Sequence, residues 1–484
     1  MREKIFRYEE VVSKIEEQIG TGNFAPGDKV PSVRKLSEEL QVSMSTIFQA
    51  YAILEAQGII IAKPKSGYYV ACNLQTSKPE TITSKGYIPL PAKVEINEMA
   101  TNMMMNSRIH GAVNFSILSP VNEFLPITKL NKAVHSALKE TGSVNFQYPL
   151  VEGHSRLLKQ VALRSIHWPI VVPADDYLIT NGCMEAINLC LDAVCKPGDT
   201  VAVESPTYHG LLQSLEARNL KILEIPTHPE TGISIPLLEE ALEANKVNAC
   251  VLMPRASNPT GSSMPEEAKK QLAELVARRQ LPLIEDDALG ELQFTHTGSL
   301  PVKAYDQAGY VLYCSSFSKT LAPGFRIGWL SAGRYHKAIK KLKFGANIST
   351  NAVLQDAIGR YLESGQYNSH LRKMIISLQC QVNKYIHAIQ EYFPKEIKMA
   401  KPAAGYSLWI ELPSGVDSIA LQGKALEMGI GLCPGYIFSM TGLYNNFIRI
   451  NCCPLWNIKT EKAIEKLGIL IEEMSNTEGN SKTE

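Results

Sequence analysis

Ten cysteines are scattered through the chain, and no two of them form a CxxC pair. Cys190, Cys250 and Cys314 lie inside apolar runs, where a free thiol packs as a small hydrophobe. This usage argues against a disulfide or metal framework and fits a reduced cytoplasm. No run approaches the length of a membrane span, and Met1 to Tyr8 is charged where a secretory leader would be apolar. No membrane partner is expected. Charge of one sign is also lacking. Lys+Arg 49 against Asp+Glu 48 gives no global pull on nucleic acid, so any contact with DNA must be local. Internal repeats are absent. What is present is size: 484 residues at 45% hydrophobic content, enough for more than one domain and a large core.

Residues 1–71 read as a unit of their own. Val11, Val12, Ile15 and Ile19 recur at helical spacing, and this helix should stop near Gly20 or Gly22. Pro26-Gly27-Asp28 is a turn, and Ser32 can cap a short helix from Val33 to Leu40. Ser43 precedes another helix, with Ile47, Tyr51 and Leu54 on one face and Gly58 at its end. Strands Ile59 to Ala62 and Tyr68 to Ala71 follow, joined by a basic wing with Lys63 and Lys65. Three helices and a hairpin in that order describe a winged helix-turn-helix.

From 72 to 93 the composition turns to Thr, Ser, Lys and Pro, a semi-flexible linker. Across 94–475 apolar strand-like runs alternate with helical patterns, the signature of an α/β fold. Tyr177 to Thr180, Thr200 to Glu204, Ala249 to Met253, Leu281 to Glu285 and Tyr310 to Cys314 are the expected parallel strands. A smaller α+β portion follows, with strands near Tyr406 to Glu411 and Phe447 to Asn451. Residues 476–484 read as a polar, frayed tail.

The chemistry concentrates in the large domain. Ser315-Ser316-Phe317-Ser318-Lys319 leaves a buried-type strand, with Arg326 seven residues after the lysine. Ligand sites of α/β sheets lie at such carboxyl ends. A lysine amid hydroxyls and a nearby guanidinium suits a Schiff base to a phosphorylated aldehyde cofactor, pyridoxal phosphate. Gly182-Cys183-Met184 follows a strand and opens a helix, so the amides of Cys183 and Met184 can cradle a phosphate that Ser316 and Arg326 complete. Asp286 is placed to keep a pyridine nitrogen protonated, although the run Glu285-Asp286-Asp287 also reads as a solvated loop. Asn258 can donate to the ring's phenolic oxygen or simply serve a β-turn, and Tyr208 can stack on the ring or merely pack.

The order and spacing of Gly182, Tyr208, Asn258, Asp286, Lys319 and Arg326 resemble those of fold-type I aminotransferases, over nearly all of the chain after the linker. That resemblance implies a parallel-dominated mixed sheet flanked by helices. It also implies a homodimer in which Tyr148 reaches the neighbouring subunit's phosphate, and a substrate carboxylate clamped by Arg449. An ordinary ion pair is the competing reading of Arg449. One departure stands out. The family usually carries a tyrosine two or three residues past the aspartate, and Ala288 and Leu289 occupy those positions here. Its loss places fast transamination in doubt and leaves cofactor binding intact.

Gly22 to Leu36 is similar to the DNA-binding domain of the GntR family. The implied recognition helix begins at Met44 and presents Ser43, Ser45, Thr46 and Gln49 to double-stranded DNA, with Arg34, Lys63 and Lys65 on the same side. Relatives often have arginine at the Met44 position, so fewer guanine contacts are expected. The whole chain resembles MocR-type regulators. The expectation is a regulator that senses an amine or amino acid through the aldimine at Lys319. An active aminotransferase with a DNA-binding appendage is the first alternative, and a dimerising domain that no longer binds cofactor is the second.

Overall fold

The structure, a computed structural model, describes residues 7–63, 66–71, 77–79, 89–94, 113–140, 147–294 and 299–481. Lys65, the side chain of Lys63 and most of the linker lie outside the described residues.

The amino-terminal module has the expected three helices, Arg7–Gly20, Val33–Leu40 and Met44–Gln57, and a hairpin of Ile60–Lys63 with Gly67–Val70. Ser32 accepts from the Lys35 amide and Ser43 from the Thr46 amide, which satisfies donors that each helix start leaves free. Gly58 ends the third helix at a left-handed φ of 75°, a conformation that costs glycine little. Val11, Ile15, Ile47, Tyr51, Leu54 and Ile60 close the core, and the Tyr51 hydroxyl donates to Pro31 O at 2.6 Å.

The large sheet runs Ala92–Lys93, Lys221–His228, Thr200–Ser205, Ala249–Leu252, Leu283–Asp286, Val311–Ser316, Gly328–Ser331, Tyr177–Thr180. The four central pairings are parallel, and Thr200–Ser205, Ala249–Leu252, Leu283–Asp286 and Val311–Ser316 are buried along their whole length, as a sheet covered by helices on both faces requires. Three readings are corrected. Among the described residues Tyr177–Thr180 pairs only with Gly328–Ser331, and antiparallel, a strand the sequence hid inside the lysine motif. Ala92–Lys93, counted with the linker, already pairs with Lys221–His228 at the sheet edge. Residues 476–481 of the tail expected to fray instead continue the last helix, Ile458–Ser481. A second, antiparallel sheet of Lys398–Met399, Ser407–Glu411, Phe447–Asn451 and Cys433–Pro434 forms the smaller portion.

The long helix Gln366–Tyr392 joins both halves of the molecule. Near its start, His370 Nε2 donates to Thr320 O at 2.7 Å, and the hydroxyls of Tyr367 and Thr320 hydrogen-bond at 2.8 Å. Further along, it packs on the third helix of the amino-terminal module. Asn383 Nδ2 donates to Glu55 O at 3.1 Å and Ala56 O at 2.7 Å, and Lys401 Nζ donates to Gln57 O at 3.3 Å. These carbonyls lie in the last turn of the helix, at the negative pole of its dipole, where Glu55 O also accepts from the Gly58 amide at 3.0 Å, and Lys384 adds a cation beside Glu55 at 3.6 Å. Replacing Asn383 by alanine should therefore loosen the module by about 1 kcal/mol. Amide exchange in the last turn of Met44–Gln57 should quicken about fivefold, with the large domain's exchange unchanged; equal exchange in both proteins would refute the docking role.

Candidate functional site

The carboxyl edge of the large sheet, the start of the helix Cys183–Val194 and the segment Ser116 to Leu118 enclose a cleft of about 200 Å³. Of the residues selected from sequence, Cys183, Met184, Tyr208, Asn258, Asp286, Ser316, Lys319, Arg326 and Arg449 all line it.

At one end is an anion cup. Gly182 caps the helix at φ 87°, and a Cβ added there would lie 2.3 Å from Arg326 Nη2. Only glycine lets the guanidinium lie against the helix start. Arg326 donates from Nη1 to Ser318 Oγ and from Nη2 to Asn181 O, each at 3.2 Å. Ser316 Oγ accepts from the Ser318 amide at 3.4 Å. Helix-start amides, two hydroxyls and a fixed cation form a phosphate-type donor set.

At the other end, three successive carboxylates leave the strand Leu283–Asp286, all buried, so the solvated-loop reading fails. Both hydrogen bonds that hold Asp286 reach Oδ1, from the Ala288 amide at 3.0 Å and from Cys183 Sγ at 3.3 Å. Burial pushes its pKa up, against those two donors. Oδ2 is left to a ligand.

Lys319 lies between these ends. Its Nζ donates to Leu118 O at 2.6 Å. Burial, then Arg449, lowers its pKa from 10.5 to about 8, with Asp286 opposing. Lowering the pKa to about 8 leaves a larger share of this buried amine unprotonated at physiological pH than an ordinary lysine would have, which makes it a usable nucleophile.

Arg449, on the strand Phe447–Asn451, is only 1% exposed. It donates to Asn258 Oδ1 at 3.0 Å and to Ser116 O, while its Nε is buried without a partner. Among the described residues no carboxylate pairs with it, so the ion-pair reading fails too. Because arginine only donates, Asn258 must turn its oxygen to Arg449, which frees its NH₂ for a ligand. The donor set fits pyridoxal phosphate: a cup for the phosphate, Asp286 for the ring nitrogen, an amide for the phenolic oxygen and Lys319 for the aldehyde.

Tyr148 is not brought to this cleft, and it is 83% exposed. Of the lining residues that the sequence reading did not select, Ser318 and His209 bear on the chemistry. Ser318 stood in plain view two residues after Ser316. His209 gave no signal beyond being a lone histidine; it is 5% exposed, packed edge-on against Tyr208 and Phe438, and neither ring nitrogen has a partner. Burial, then Arg449 and Lys319, push its pKa down to about 3, so it stays neutral.

In the amino-terminal module Met44, Ser45, Phe48 and Gln49 form one exposed stripe, and the part-buried Thr46 lies off it. Ser43 is exposed but also serves as the helix cap. The Arg34 side chain is 86% exposed beside Glu38.

Comparison with known proteins follows this geometry. Residues 121–467 match the family model described as aminotransferase class I and II, and residues 7–70 match that of bacterial regulatory proteins, gntR family. The chain is 36% identical over 471 residues to the uncharacterized HTH-type transcriptional regulator YdcR of Escherichia coli, covering 96% of this chain and 99% of that one. It is 30% identical to aromatic-amino-acid aminotransferase 1 of Thermococcus litoralis, covering 73% of this chain and 86% of that enzyme. The solved structure of LysN, the alpha-aminoadipate aminotransferase of Thermus thermophilus, superposes with a TM-score of 0.71 at 26% identity. That match covers 78% of this chain and 99% of LysN, which holds N-(5'-phosphopyridoxyl)-L-leucine. The chain belongs to the aminotransferase class I and II family and carries a gntR-family winged helix ahead of that domain.

Proposed function

We propose that this protein is a DNA-binding transcriptional regulator of the MocR type, using pyridoxal phosphate at Lys319 to sense an amine or amino acid. The observation that carries the reading is Lys319 itself. A buried amine with its pKa near 8 stands between an anion cup and a buried carboxylate, on a chain whose winged helix keeps its recognition stripe open. Bound there, the cofactor supplies an electron-accepting ring and a carbonyl that condenses with primary amines.

The chain's own residues do the rest. The amides of Cys183 and Met184, with Ser316, Ser318 and Arg326, bind the phosphate. Asp286 Oδ2 holds the proton on the ring nitrogen, and Tyr208 covers the ring face. Arg449 takes a carboxylate through its free Nε and the edge it now lends to Asn258 and Ser116. Arg449 belongs to the small sheet and Lys319 follows the strand Val311–Ser316 of the large one, so a ligand that engages both bears on their relative placement. Tyr148 and Leu150, both strongly exposed, are surfaces for a second copy of the chain, with Tyr148 reaching its phosphate. The aminotransferase reading is favoured by the enzyme relatives. It is opposed by Ala288 and Leu289, neither of which brings a hydroxyl to the positions where such enzymes usually carry a tyrosine.

Borohydride reduction of the holoprotein should fix the cofactor's mass on the peptide containing Lys319, and Lys319→Ala should lose the visible absorbance. An adduct on another lysine would overturn the assignment. The amine acts unprotonated and its pKa is lowered, so cofactor capture by the apoprotein should rise with pH through about 8; a rise near 10.5 would contradict the buried setting. Gly182→Ala should displace Arg326 and weaken cofactor binding at least tenfold with the fold retained, read by spectroscopic titration. Operator affinity, compared for apo, cofactor-bound and amine-treated protein at one salt concentration, should differ about five- to a hundred-fold. Three equal affinities across a broad amine panel, together with steady turnover of amino-acid and keto-acid pairs, would establish the enzyme reading instead.

A further inference from the structure

The recognition helix Met44–Gln57 has two unlike halves. Its last turns are covered by the long helix through Ala52, Glu55 and Ala56. Its first two turns present Met44, Ser45, Phe48 and Gln49, with Met44 and Phe48 each 55% exposed. A single exposed hydrophobe needs no explanation. Two large ones, four residues apart on the stripe that faces outward from a DNA-binding module, do need one. No lysine or arginine shares that stripe. Among the described residues the module carries cations on other elements: Arg34 and Lys35 on the second helix, each in a surface ion pair, and Lys29 over the Tyr69 ring of the hairpin.

Guanine is read in the major groove mainly by arginine or lysine, adenine by glutamine or asparagine, and thymine by apolar contact with its methyl group. Cations flanking the groove-facing stripe meet phosphates, which position the protein without carrying sequence. We infer that this module reads thymine methyl groups through Met44 and Phe48, with Gln49 on adenine, so its half-site is an A·T-rich step in the major groove. Resting on the DNA-binding reading above, this names the sequence class of the partner. The two side chains are about 6 Å apart along the helix at 1.5 Å per residue. They therefore meet base pairs about two steps apart at 3.4 Å per step. The apolar stripe is the feature that a guanine-reading or purely phosphate-clamping helix does not need.

The test starts from random duplexes selected on the full-length protein. The best duplex is then remade with each thymine replaced in turn by deoxyuridine, which removes the 5-methyl group and keeps every hydrogen bond. Removing the methyl at one or two positions per half-site should weaken binding about fourfold, the value of one buried methyl. The same replacement should cost nothing in Phe48→Ala or in Met44→Ala, each insensitive at its own position. Both side chains are exposed, so the variants should keep the wild-type melting temperature. Guanine at the helix-facing positions, or indifference to every deoxyuridine, overturns the inference and leaves DNA binding standing. Full affinity in both alanine variants, with a changed oligomeric state, overturns it in favour of a protein contact. Failure to select any duplex overturns it together with the DNA-binding reading.

Discussion

Burying charge at the carboxyl end of a strand is the constraint around which the large domain is arranged. Glu285, Asp286 and Asp287 follow one another where the strand is covered on both faces, and an unpaired buried carboxylate costs several kcal/mol. Each acid meets that cost differently. Glu285 accepts from the amides of Val302 and Lys303, which pins the short turn Val302–Tyr305 that leads to the strand Val311–Ser316. Asp287 accepts from Arg255 and from the Tyr313 hydroxyl on the next strand. Strand alternation turns the middle acid to the opposite face, toward Cys183 and the cleft. The two outer carboxylates therefore hold the frame in which Asp286 is presented.

The same alternation explains what could be read from the sequence. Strand-end motifs announce themselves because apolar runs stop where chemistry begins, and Asn258, Asp286 and Lys319 each follow such a run. Order along the chain then converted weak segments into a site. Gly328–Ser331 was hidden because its apolar residues continue the lysine motif, and only pairing with Val311–Ser316 and Tyr177–Thr180 distinguishes a strand from a loop. His209 was invisible for another reason. Its isolation comes from ring packing by Phe438, more than two hundred positions away, which periodicity cannot express.

The attachment of the amino-terminal module lay equally beyond sequence. A linker of Thr, Ser and Pro suggests freedom, yet the module's third helix ends on donors supplied by Asn383 and Lys401. Those residues look like ordinary polar positions on a surface helix and a loop. Their role exists only because a helix end exposes carbonyls that some donor must satisfy. Recognition of DNA and docking onto the large domain thus divide one helix lengthwise, the amino-terminal turns to one task and the carboxyl-terminal turn to the other.

The long helix Gln366–Tyr392 carries a consequence for how this chain can vary. Its two anchorages, His370 on Thr320 and Asn383 on the recognition helix, stand about 20 Å apart on one unbroken helix at 1.5 Å per residue. Each residue also turns the helix by about 100°. A single insertion or deletion between the anchorages would swing Asn383 off the module while leaving both folded units intact. The spacing of thirteen positions is thus a phase as well as a length. Loops elsewhere can drift in length, but this segment can change only by whole turns.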